Sequence, residues 1–163
     1  MGYDANAWSA LFGATVAATA ALAGLVFVGI SINLDRVMGS ELLVERAAET
    51  FLAVVSILLA STLGLVPGQS SELLGLELLV LGAGTWGVLL RIHIRSLPNE
   101  ETSALQKAIR IGIGEAAAIS MGVSGLTLLV GRGGGLSWMA PAIVLSLCSA
   151  FIGAWVLLVE VRR

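Results

Sequence analysis

The sequence is short of charge before anything else. Asp, Glu, Lys and Arg make up 12% of its 163 residues, against about 25% in a soluble domain, too little to coat a water-facing surface. The net charge of -2 leaves no basic patch of the kind nucleic acid requires, so no nucleic-acid partner is expected. One cysteine, Cys148, excludes an internal disulfide and leaves the redox compartment open. With one histidine and one cysteine there is no ligand set at metal spacing, and neither metal nor cofactor is expected. A glycine-rich phosphate loop with its lysine, a His-Glu-x-x-His pair and a Gly-x-Ser-x-Gly elbow are all missing. Ser120 and a distant His93 do not make a nucleophile and its base. No catalytic residue is assigned, and the chain reads as a non-enzyme.

What is present is apolar. Hydrophobic residues make up 57% of the chain, and they gather into five runs: 8–34, 47–66, 73–90, 111–130 and 137–159. A bilayer-spanning helix needs about 20 mostly apolar residues, so the expected fold is an all-α polytopic membrane bundle of five transmembrane helices. No loop between them has room for a soluble domain, and 1–163 is read as one integral membrane domain. The first run is too long for a signal-peptide core and no basic residue precedes it, so it reads as a retained helix. A soluble, wholly buried helical core is the competing reading, and five successive runs of this length argue against it.

Basic residues set the expected orientation. Arg36 and Arg46 follow the first run, Arg91, Arg95, Lys107 and Arg110 follow the third, and Arg162 and Arg163 end the chain. Only Arg132 falls on the other side. The positive-inside rule then puts the N-terminus outside and the C-terminus inside. Trp8 and Trp138 fall at outer ends and Trp155 near an inner one, as interfacial anchors do. Pro67-Gly68 is expected to close the second helix, and Ser70 or Ser71 to cap the third with Glu72 at its positive end. Asn99 reads as the start of the fourth helix, 131–135 as a flexible outer hairpin loop, and Pro141 as a first-turn residue of the fifth.

Gly84-Thr85-Trp86 in the third helix parallels Gly153-Ala154-Trp155 in the fifth, and their partner helices begin with Arg46…Glu49 and Arg110…Glu115. The expectation is a parallel repeat of two hairpins about an axis along the membrane normal.

Helices in lipid associate where small residues let backbones approach. Such residues recur every fourth position at Gly13, Ala17, Ala21, at Ala10, Ala14, Ala18, at Gly114, Ala118, Gly122, and at Ala142, Ser146, Ala150, Ala154. Each stripe is either an internal helix contact or a contact between subunits. Charges near the helix ends form the other candidate feature, since ionisable groups in hydrocarbon are expensive. Glu115 lies one turn inside the fourth helix, and Glu77 at similar depth from the outer end of the third. Arg91, His93, Arg110, Asp35, Arg36, Arg46 and Glu49 share the inner level. They form either a polar vestibule or a belt of ion pairs, in which Glu115 is expected to meet Arg91 or Arg110.

The stretch 20–34, with Arg46-Ala47-Ala48-Glu49-Thr50 and Val66-Pro67-Gly68-Gln69-Ser70, resembles a family of small bacterial inner-membrane proteins, some labelled as modulators of a membrane-bound AAA protease. The resemblance covers the first half of the chain. It implies the bacterial cytoplasmic membrane and the pattern Asn33…Arg46…Glu49 near the inner face, and it supplies no catalytic residues.

Two functions follow. One is a non-catalytic protein that packs through its small-residue stripes against membrane lipid, itself or a membrane-protein partner. The other is a homo-oligomeric ion channel or small-solute pathway lined by the inner polar residues. A water-accessible path from Glu77 to Glu115 favours the second; paired charges around an apolar centre favour the first.

Overall fold

The computed structural model describes residues 5–96 and 104–159. They are helical almost throughout: α1 Ala5–Ile32, α2 Leu34–Met38, α3 Glu41–Leu63, α4 Ser71–Ser96, α5 Ala104–Val130 and α6 Met139–Val159, with a 3-10 turn at Gly135–Trp138. The described residues contain no strand. The protein is therefore all-α. Four segments are long and apolar enough to cross a membrane: Ala7–Ile32, Ser71–Arg95, Lys107–Val130 and Gly135–Leu158. The remaining long helix, α3, differs because Glu41, Glu45, Arg46 and Glu49 occupy its start. Its uncharged part, 50–63, falls short of the roughly 20 residues a span needs.

Helix ends follow local chemistry. Asn33 interrupts the first apolar run and turns the chain into α2; its side-chain amide donates to the Gly29 carbonyl at 3.0 Å and the Leu157 carbonyl at 3.2 Å. That ties the end of α1 to the end of α6. α3 stops at Leu63, before Pro67, with Gly64 as its cap. Ser70 caps α4, its hydroxyl accepting the Leu73 amide at 3.2 Å. α5 ends in a Schellman turn, where Arg132 N–H reaches the Thr127 carbonyl and Gly131 N–H that of Leu128, with Gly131 at φ +70°. Gly133, Gly134 and Gly135 also have positive φ, a path only glycine follows without strain. The expected loose loop is a tied turn: Trp138 Nε1 donates to the Gly133 carbonyl at 2.9 Å and Ser124 Oγ to that of Gly135 at 3.1 Å. Pro141 sits in the first turn of α6 as expected. The start expected at Asn99 lies outside the described residues.

Helices α3, α4, α5 and α6 form a ring in which each packs on the next and α6 closes on α3; α1 lies across the α3–α6 side. The α4–α5 contact is the closest, and glycine explains it. A Cβ on Gly82 would sit 2.6 Å from the Gly122 nitrogen, and one on Gly125 would overlap the backbone at Leu79 and Gly75. Two apolar clusters fill the interior. Phe12, Ile57, Leu74, Leu78, Met121 and Met139 belong to one, at the end of the Gly135 turn. Leu22, Val26, Val54, Ala150, Ala154 and Leu157 belong to the other, where α1, α3 and α6 meet. The outer surface is also apolar: Phe27, Val80, Ile119, Val144 and Phe151 are all more than half exposed. Exposed apolar surface of this extent suits lipid and not water.

Candidate functional site

The ring carries a buried polar cluster at the end away from the glycine turn. α4 supplies His93, α3 Glu49, and α5 Glu115 and Arg110. His93 Nδ1 and Glu115 Oε1 are 2.8 Å apart, and His93 Nε2 lies 3.4 Å from Glu49 Oε1. The other oxygen of Glu49 is 3.5 Å from Arg110 Nε. The His93 side chain is 6% exposed and that of Glu49 10%, so these groups lean on one another instead of on water. The 2.8 Å contact at Nδ1 is a hydrogen bond, whereas Nε2 and Glu49 Oε1 are in longer contact without one. One histidine thus bridges two acids on neighbouring helices, and Arg110 holds the far side of one of them.

The expected partner of Glu115 is corrected here. Arg91 is exposed on α4 and Arg110 pairs with Glu49, so the partner of Glu115 is His93. On α4, His93 faces α3 and α5 while Arg91, two residues earlier, points outward. Asp35 and Arg36 are exposed on α2, away from the cluster, and Arg46 is half-buried one turn before Glu49. Glu77 lies at the opposite end and accepts a bond from the Gln69 amide at 2.5 Å. The inner-level residues therefore divide: Glu49, His93, Arg110 and Glu115 come together, and Arg91, Asp35 and Arg36 do not.

Beside the cluster, within the ring, lies a cavity of about 20 Å³ bordered by Glu49, Ser56, Thr85, His93 and Ser146. A water needs about 10–15 Å³ by this measure, so the cavity has room for one water and not for a hydrated ion. Beyond it toward Glu77 the interior is Ile57, Leu78 and Met121, each at most 1% exposed. Three buried threonine hydroxyls turn back onto their own helices: Thr15 onto the Leu11 carbonyl, Thr19 onto that of Thr15, Thr50 onto that of Arg46. They line nothing. Glu49 and Glu115 also approach opposite nitrogens of His93 and so share no point where a metal could sit; among the described residues no such group of ligands occurs.

The small-residue stripes divide as well. Ala142, Ser146 and Ala150 of α6 are buried against the ring, and Gly153 beyond them lies so close to Thr50 that a Cβ there would overlap its hydroxyl. Ala118 is buried against Gly82. Gly122 lends its backbone to the seam, but its own Cβ position is open, and Gly114 makes only ordinary contact with Leu89. On α1, Ala17 and Ala21 are exposed and nothing lies within 4 Å of a Cβ on Gly13. That stripe faces outward, and Phe12, Thr15, Thr19, Leu22 and Val26 turn inward instead. Sequence reasoning missed the seam residues Gly75, Gly82 and Gly125. The seven-residue spacing of Gly75 and Gly82, two turns on one face, is the signal that carries them.

Comparison with protein-family models, curated proteins and solved structures found no match.

Proposed function

We propose that this chain is a non-catalytic integral membrane protein of the bacterial cytoplasmic membrane that acts by associating with itself or with a membrane-protein partner. The observation that carries this reading is the closed interior: the inner charges pair with one another, and an apolar plug of Ile57, Leu78 and Met121 separates them from Glu77. A conducting path through a single chain would need that plug to be polar, so a channel of this protein would run between chains.

In this reading α3 is the fifth span, the N-terminus is outside and the C-terminus inside. Its charged start costs little because Glu49 is buried against His93 and Arg110 and because α1, α4 and α6 surround the helix. The ring also supports the repeat, with the α3–α4 hairpin answering to α5–α6: Thr85 and Ala154 turn inward, Trp86 and Trp155 outward. Reporter fusions after Gly68, Gly133 and Arg163 should read outside, outside and inside; an external C-terminus contradicts this topology.

The outward face of α1, with Ala10, Ala14, Ala17, Ala18 and Ala21 exposed, is the contact surface this reading requires. Mass measurements in lipid nanodiscs test it. Ala14→Leu and Ala17→Leu should lower the assembly to a smaller species while the monomer keeps its helix content and melting temperature. An unchanged assembly in both variants rejects α1 as the contact.

A further inference from the structure

The small cavity inside the ring beside His93 exists because short side chains meet there. On α3, Glu49 and Ser56 lie seven residues apart, two turns on one face, and the residue between them on that face is Ala53; α5 adds Gly114, Ala117 and Ala118. About 20 Å³ stays open between them. Hydroxyls border it from three helices: Ser56 of α3, Thr85 of α4 and Ser146 of α6, each buried. Ser56 donates to the Ala53 carbonyl at 3.2 Å, which leaves its oxygen able to accept. Glu49 borders the same cavity, and its side chain is 10% exposed. Its Oε1 is the oxygen on the side of His93, which also lines the cavity. Among the described residues no group hydrogen-bonds that oxygen.

A buried carboxylate oxygen without a bond is costly, and a polar cavity of one-water size is where proteins meet that cost with water. We infer that this cavity binds one water molecule, which donates to Glu49 Oε1 and takes its other bonds from among the hydroxyls of Ser56, Thr85 and Ser146. The molecule then joins α3 to its neighbours α4 and α6 where no direct side-chain bond does so. Other occupants fit worse. An anion would face the Glu49 carboxylate, and a bare cation would lie beside Arg110, which borders the same space. An apolar occupant would leave Oε1 unbonded. The site belongs to the folded single chain and holds whether or not α1 forms a contact between chains.

Methyl groups beside the cavity report its occupant. The full chain is placed in lipid nanodiscs with methyl-labelled alanine and leucine, and Overhauser transfer from water to each methyl is measured by NMR. Ala117 borders the cavity. Leu22 is also buried and lies one turn from Thr19, whose buried hydroxyl bonds to the Thr15 carbonyl, so it records what an exchanging hydroxyl passes on by itself. Transfer to Ala117 should exceed transfer to Leu22 several-fold. The laboratory-frame and rotating-frame effects at Ala117 should have opposite signs, the mark of a long-resident water. Ala53→Val fills the space and keeps every hydroxyl, and it should bring Ala117 down to the level of Leu22. Equal transfer at Ala117 and Leu22 in the parent overturns the site, as does a transfer that survives Ala53→Val. Like signs overturn it too, in favour of water that passes without being held. Should Ala53→Val not fold, Thr85→Val removes one bordering hydroxyl instead: a several-fold fall at Ala117 supports the site, and an unchanged transfer contradicts it. Oligomer mass, measured on the same nanodiscs, should not change in either variant, so the water site and the association reading fail separately.

Discussion

His93 is the residue on which three helices meet. With one ring nitrogen 2.8 Å from Glu115 and the other 3.4 Å from Glu49, it keeps two carboxylates in a dry interior from facing each other bare. Removing one partner of a buried pair costs about 3–5 kcal/mol, less where water reaches, so His93→Ala should lower thermal stability by an amount near the lower end of that range. Replacing Glu115 by Gln in the same chain should return part of the loss, because the orphaned charge goes with it. Arg91→Ala, at an exposed position, should stay within about 0.5 kcal/mol of the parent. Thermal unfolding in one detergent measures all three; a loss in Arg91→Ala matching that in His93→Ala would show that the partner of Glu115 is misassigned.

At the scale of the helix, backbone contact decides which glycines matter. Gly125→Ala and Gly82→Ala drive a Cβ into the facing backbone, where no side chain can move aside, and overpacking of this kind costs about 1–3 kcal/mol or more. Gly122→Ala meets open space and gains up to ~1 kcal/mol of helix propensity. Melting temperatures of the three variants should therefore fall, fall, and hold or rise; a larger drop for Gly122→Ala contradicts the seam as described. These helices also mark how far the sequence could be read. Hydropathy places the five long helices to within a few residues at most ends, because apolar length is set by composition alone. It overshoots at 33–34 and 64–66, where Asn33 and Gly64 end helices inside apolar runs. The common level of Glu49, His93, Arg110 and Glu115 was legible, since depth follows from counting residues. Direction around each helix was not. A helix apolar on all sides carries no moment to say which face is inside, so the outward turn of the α1 stripe and the inward turn of His93 come only from packing.

At the scale of the whole molecule, the described residues make a ring of four long helices with a fifth laid across one side, apolar outside and nearly dry within. At the charged end a groove beside Arg46, Lys107 and Arg110 faces outward. The water-sized cavity at His93 stops against Ala117, Ala118 and Met121. A protein so built has its polar groups joined to each other and its surface available to neighbours, which is the physical content of the association reading. Flux through liposomes reconstituted with the purified full chain tests that most directly. Proton and monovalent-cation flux should equal that of empty liposomes, in the parent and in His93→Gln and Glu115→Gln alike. A flux well above that background, abolished by His93→Gln or Glu115→Gln while the oligomer mass stays unchanged, would contradict the account and make the buried cluster the gate of a channel.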